Sequence, residues 1–245
     1  MTGTCRATLL GAALAVTPVL AETLHGEPPP GTVGLLSLPQ ILGGDGGVCA
    51  QADEATVALF EAPGGEPRDD LLHSEPGRPS SMGGCHDGEA WREGSDGARA
   101  PAWLMEHGYQ AVSLIVIEPR PPWYRIAMPG AGAWVNAPHG RYRDLVDLYA
   151  DGLTFLTSAW DGALCDGPDE QRACAVADVE RLHREQHDAV EVLGWAQRPD
   201  GLWLEIRVIS SPCLTDVQRT LPLRGWIPAQ GRNRVPNVWF HSRGC

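Results

Sequence analysis

The chain has 245 residues, 31 acidic against 19 basic for a formal charge of −12, and a hydrophobic fraction of 43%. Every basic residue is an arginine, which removes lysine-based chemistry, and the acidic balance argues against a general phosphate-backbone binder or an anionic membrane surface. The 29 glycines and 21 prolines, about a fifth of the chain, favour short strands and many turns over long helices.

Residues 1–21 (MTGTCRATLLGAALAVTPVLA) place Arg6 before an apolar run from Ala7 to Val16, then Pro18 and Val19-Leu20-Ala21 ahead of Glu22. That is the pattern of a secretory signal peptide. The run is shorter than the roughly 20 apolar residues a membrane span needs, and no later stretch reaches that length. The expected product is exported, periplasmic or extracellular, without a membrane span. Residues 22–47, rich in Pro and Gly, read as a linker.

Export changes how the cysteines read. Setting Cys5 aside leaves Cys49, Cys85, Cys165, Cys174, Cys213 and Cys245, an even number suited to disulfides in an oxidising compartment. Proximity makes Cys49–Cys85, Cys165–Cys174 and Cys213–Cys245 the simplest pairing, although six cysteines allow fifteen. The paired C-x-x-C spacing of a zinc site does not occur.

A strand is expected over Ala55 to Glu61, closed by Pro63-Gly64-Gly65, and residues 63–101 then read as a long irregular stretch with little periodicity. Val112 to Ile117 (VSLIVI) is apolar at every position but Ser113, as in a strand buried on both faces. Trp123 to Ala127 alternates, Pro129 to Gly132 turns, and Ala133-Trp134-Val135 opens a third strand. Arg143 to Tyr149 is expected to give one or two helical turns, and Asp178 to His187 a short surface helix. The second half repeats the meander: Val190 to Trp195, the turn Arg198-Pro-Asp-Gly201, Leu202 to Ile209, and Gly225-Trp226-Ile227. Trp134-Val-Asn-Ala and Trp226-Ile-Pro-Ala match, and ATVALFEAPGG at 55–65 loosely parallels LTFLTSAWDGALCDGP at 153–168.

This pattern (V-x-L-x-V, a turn, Trp-Tyr-x-Ile, a glycine turn, Gly/Ala-Trp-Val) resembles the bacterial SH3-like domain. Trp123, Tyr124, Ile126, Gly132, Trp134 and Val135 carry it in the first copy, and Trp203, Ile206, Gly225, Trp226 and Ile227 in the second. The resemblance implies an all-β protein of two tandem small barrels, one over 48–142 with an insertion at 66–105 and one over 143–245. It also implies binding rather than catalysis, with a cell-wall or envelope component or a protein as partner. The acidic surface is expected to favour cationic or neutral partners.

Other motifs carry little chemistry. His183 and His187 share a helical face, but Arg184 stands where a zincin has Glu. Cys85-His86-Asp87 reads as cystine rather than nucleophile and base, and Asp161, Asp166, Asp169 and Glu170 lack the calcium-loop spacing. Gly43 to Gly47 has no phosphate-binding helix after it. No cofactor or metal is expected. Trp134 and Trp226 are expected in or near the core, whereas Trp123, Tyr124 and Trp203 are the candidate ligand residues. Two rival readings stand beside the binding module. One is a small secreted hydrolase using His73, His86 or Asp87 in the 66–108 segment; the other is a structural subunit without a ligand groove.

Overall fold

A computed structural model describes residues 27–38, 55–75, 78–79, 85–86, 89–95, 97–106, 112–151, 153–169, 173–178, 189–210, 220–231 and 233–240. The expected signal segment, Gly43 to Gly47, Asp87, His183, His187 and three of the cysteines (Cys49, Cys213, Cys245) lie outside them.

The described chain is nearly all β, as its Gly, Pro and β-branched content led one to expect. In order come β1 (Gly34–Ser37), β2 (Ala55–Phe60), β3 (Pro67–Glu75), β4 (Arg78–Pro79), β5 (Cys85–His86), β6 (Glu89–Glu93), β7 (Arg99–Pro101) and β8 (Leu104–Glu106). The first meander follows as β9 (Val112–Arg120), β10 (Trp123–Ile126) and β11 (Ala133–Asn136), then β12 (Arg141–Asp144) and a short helix α1 (Leu145–Asp151). The second half holds β13 (Thr154–Leu156), β14 (Ala163–Cys165), β15 (Cys174–Val176), β16 (Ala189–Arg198), β17 (Gly201–Ile209), β18 (Thr220–Pro228) and β19 (Val238–Phe240).

The first sheet runs β12-β1-β9-β10-β11-β2-β3-β6-β7, with β8 also paired to β9, while β4 and β5 pair apart. Read from its β19 end, the second sheet runs β19-β13-β16-β17-β18-β14-β15. The succession is the same over seven strands: closing strand, opening strand, three-strand meander, then the second and third strands.

The registers coincide too. Trp123, Tyr124, Arg125 and Ile126 face Asn136, Val135, Trp134 and Ala133. Trp203, Leu204, Glu205 and Ile206 face Pro228, Ile227, Trp226 and Gly225. Each meander carries a bulge at the same point, where the ladder skips Ile117 in β9 and Leu193 in β16. The Ala137 N–H donates to Pro122 O, and the Ala229 N–H to Leu202 O, one residue before each paired tryptophan. Phe60 pairs with Trp134 in one half and Cys165 with Trp226 in the other, so β2 corresponds to β14.

Burial follows the pleat. Strand β9 sends Leu114 and Val116 into a core with Leu36, Leu59, Tyr124, Ile126 and Val135. Its alternate residues Ile115 and Ile117 join a second core with Leu204, Ile206, Val208, Ile227 and Trp239. A strand with apolar residues on both faces is therefore buried on both, as its unbroken run requires. Helix α1 adds Leu145, Leu148 and Tyr149 to the second core, and the Asp144 carboxylate accepts the Asp147 N–H at its first turn.

Two expectations about the first half are corrected. Part of the 22–47 stretch is not a linker: Gly34–Ser37 is β1, hydrogen-bonded between β12 and β9. Leu35 enters one core and Leu36 the other, each at most 1% exposed. A four-residue strand among prolines and glycines is too short to show a period, and only its pairing reveals it. The 63–101 stretch is likewise not an irregular loop, because β3, β6 and β7 extend the first sheet from it. Its charged residues hid the alternation: Leu72 is buried while Arg92, Glu93 and Arg99 reach solvent.

The halves are also joined by hydrogen bonds. Gly31 N–H donates to Arg234 O at 2.6 Å, Gln230 Nε2 donates to Thr32 O at 2.7 Å, and Ser158 Oγ meets Glu27 at 2.7 Å. No helix among the described residues is long and apolar enough to cross a membrane.

Candidate ligand-binding face

Residues directly opposite in an antiparallel pair share a face, so the registers draw the surface of the first sheet. One row across it reads Glu118, Arg125, Trp134, Phe60 and Pro67. The next reads Arg120, Trp123 and Asn136. Tyr124 and Ile126 point the other way, into the core.

This outer face is aromatic at its centre. Phe60 and Trp123, both half-buried, meet edge to face with centroids 4.9 Å apart and planes at 90°, the arrangement that sets a positive ring edge on a negative face. Trp134 lies beneath, only 5% exposed, with the Arg120 guanidinium 5.2 Å from its ring centroid. Trp134 is thus largely buried, as expected, but under a guanidinium on the outer face.

Charge surrounds the rings. Arg120 Nη2 donates to Glu118 Oε1, Arg125 Nη1 lies 3.8 Å from Glu118 Oε2, and Arg125 Nη2 donates to Ala131 O. Two guanidiniums therefore share one carboxylate. Arg120 keeps 62% of its side chain exposed and Arg125 35%. The hairpin that carries Ala131 turns through Gly130 and Gly132, at φ 90° and 73°. At Gly132 a Cβ would stand 2.6 Å from Ile126 O, so only glycine fits there.

The three residues expected to line a groove are separated. Trp123 lies on this face, but Tyr124 is 6% exposed and its ring sits 5.4 Å from that of Tyr142 in the core. Strand alternation makes adjacent Trp123 and Tyr124 face opposite ways. Trp203, at the register position of Trp123, is 2% exposed, and its indole N–H donates to Asp200 Oδ2 at 3.1 Å. Tyr124 is therefore a core residue, and Trp203 is buried on the outer face of its own sheet, so, contrary to expectation, neither lines an open groove. Phe60, Arg120 and Arg125 were not foreseen; the signal available was the alternation that puts Arg125 two residues after Trp123.

The second sheet differs at the equivalent positions. Ala196, Gly194 and Glu205 stand where the first has Arg120, Glu118 and Arg125. The Cys165–Cys174 disulfide stands where Phe60 faces Pro67. Arg198 Nε donates to Pro168 O at 3.1 Å, which lays the β16–β17 hairpin tip on the loop that this disulfide closes. Arg207 pairs with Glu191, and Arg224 with Glu205. Trp226 is half-buried, while Trp195 is 57% exposed.

Cys165–Cys174 forms as expected; Cys85 lies in β5, and its side chain is outside the described residues. Of the hydrolase candidates, His73 stacks on Trp91 at 5.8 Å with planes 6° apart, and its Nε2 is 3.9 Å from Glu93. The His86 side chain is not described. Asp161 Oδ1 accepts the Ala163 N–H, which makes it a turn residue. Among the described residues no group of three or more His, Cys, Asp or Glu is placed to hold a metal. No family model, curated protein or solved structure matches this chain.

Proposed function

We propose that the chain is an exported, non-catalytic binding protein of two SH3-like copies, whose first copy holds the ligand face. The observation that carries this reading is the half-buried Phe60–Trp123 pair flanked by Arg120 and Arg125. A paired aromatic edge open to solvent beside guanidiniums matches the residue types enriched where proteins hold partners. The common strand order, register and bulge of the two sheets support descent from one duplicated unit. The Cys165–Cys174 bridge supports an oxidising compartment.

The partner class is an envelope component: a cell-wall peptide or glycan, or a protein of the envelope. The test is retention of the full processed chain on purified cell-wall sacculi and on an immobilised periplasmic extract. Saturable retention on one of them, lost in Trp123→Ala and Phe60→Ala, is the expected result. Retention on neither, or retention indifferent to both substitutions, overturns the reading.

A further inference from the structure

We infer that the Phe60–Trp123 face selects a ligand bearing a free carboxylate next to an apolar group, such as the C-terminal end of a peptide. This rests on the binding reading above and adds the ligand's chemistry. Glu118 already shows what the two guanidiniums accommodate, since its carboxylate sits between Arg120 and Arg125. One carboxylate against two guanidiniums leaves a net positive charge on this face, in a chain of formal charge −12. The rest of the molecule gives an anion no long-range attraction, so selection must come from contact at this spot.

The geometry leaves donors available. A guanidinium has five N–H donors in a planar fork and stays charged at any physiological pH. Arg120 lies over Trp134 with most of its side chain in solvent. Stacking uses the plane of the group, and its edge still offers bidentate bonding to a carboxylate. Trp123 is the cross-strand neighbour of Arg120, and Phe60 meets Trp123 ring to ring. A carboxylate held by Arg120 therefore brings its attached apolar group over the aromatic pair. Glu118 acts as the internal occupant that the ligand displaces or joins.

The second sheet lacks both guanidiniums at the equivalent positions. Ala196 replaces Arg120, and Glu205 replaces Arg125 and is itself paired to Arg224. The anion preference belongs to the first copy alone.

The test is a titration of the full processed chain, followed by tryptophan fluorescence, with N-acetylphenylalanine and with its neutral amide. The acid is expected to bind about tenfold more tightly than the amide, the scale of a charge-assisted hydrogen bond. Arg120→Gln and Arg125→Gln should each remove most of that preference by weakening the acid far more than the amide, with the urea midpoint of each variant confirming that it is folded. Raising the salt should weaken the acid only. Equal binding of acid and amide, no binding of either, or a preference that survives both arginine variants overturns the carboxylate inference. Retention on sacculi or extract lost in Trp123→Ala would still uphold the binding reading, so the two fail separately.

Discussion

Trp123 and Trp203 hold the same register position in two sheets of the same strand order, yet one lies half-open against Phe60 and the other is 2% exposed with its N–H bonded to Asp200. Arg198 ties the β16–β17 hairpin tip to Pro168 in the loop closed by Cys165–Cys174. Position in a repeat fixes the side of the sheet a residue lies on but not how far it is exposed.

These two tryptophans should separate stability from binding. Trp203→Ala empties a buried site and is expected to cost about 3–5 kcal/mol, the range for truncating a core aromatic. Trp123→Ala leaves a site already half open to water and should cost about 1–2 kcal/mol. Urea denaturation of both variants measures the difference. Equal losses would show that the burial contrast does not govern the energetics.

The Cys165–Cys174 bridge closes a loop with a sequence separation of 9. Chain-entropy reasoning for so short a loop gives about 2–3 kcal/mol of stabilisation. The paired substitution Cys165→Ser with Cys174→Ser should lower unfolding stability by that amount and loosen the Arg198 tie to Pro168. Hydrogen exchange at the β16–β17 hairpin is the direct readout: faster exchange there is expected, and unchanged exchange would show that the bridge does not hold this hairpin tip.

Gly132 tests the first meander. Its positive φ and the 2.6 Å approach of a Cβ to Ile126 O leave no room for alanine. Gly132→Ala should therefore cost about 1–3 kcal/mol and disturb the bond from Arg125 to Ala131 O. Gly130, at φ 90° with nothing near its added Cβ, should pay the backbone term only. Comparing the two alanine variants by thermal melting checks this, and equal losses would put the whole cost in the backbone angle.

How much of this was legible in the sequence follows from the length scale of each signal. The meanders over 112–136 and 190–227 could be read because VSLIVI, WYRI and LWLEIRVI are long enough to show alternation or two-sided burial. The GLLS strand at 34–37 and the charged strands β3, β6 and β7 could not, since pairing rather than periodicity makes them strands. Cys165–Cys174 was legible from closeness along the chain. The ligand face was half legible. Tryptophan enrichment pointed at Trp123 but equally at Tyr124 and Trp203, and composition cannot tell the two faces of a strand apart. Phe60, some sixty residues before Trp123, reaches it only through the β2–β11 pairing.

Alkaline pH tests the second core through Tyr149. Its ring is 4% exposed and its O–H donates to Val238 O at 2.7 Å, so burial pushes its pKa well above the ordinary value of 10.0. Tyr142, bonded to Val33 O at 3.0 Å, is raised as well, by burial first and then by Asp144, but its greater exposure makes its share smaller. The folded chain keeps a proton that the unfolded chain releases near pH 10. Stability from this source is therefore complete below pH 10 and falls as the pH rises beyond it, by about 1.4 kcal/mol per pH unit for Tyr149. Tyr149→Phe should cost about 1 kcal/mol at neutral pH through the lost hydrogen bond and flatten the alkaline decline. Urea midpoints from pH 8 to 11 measure both effects. A decline as steep in Tyr149→Phe as in the parent protein would remove this tyrosine from the alkaline limit.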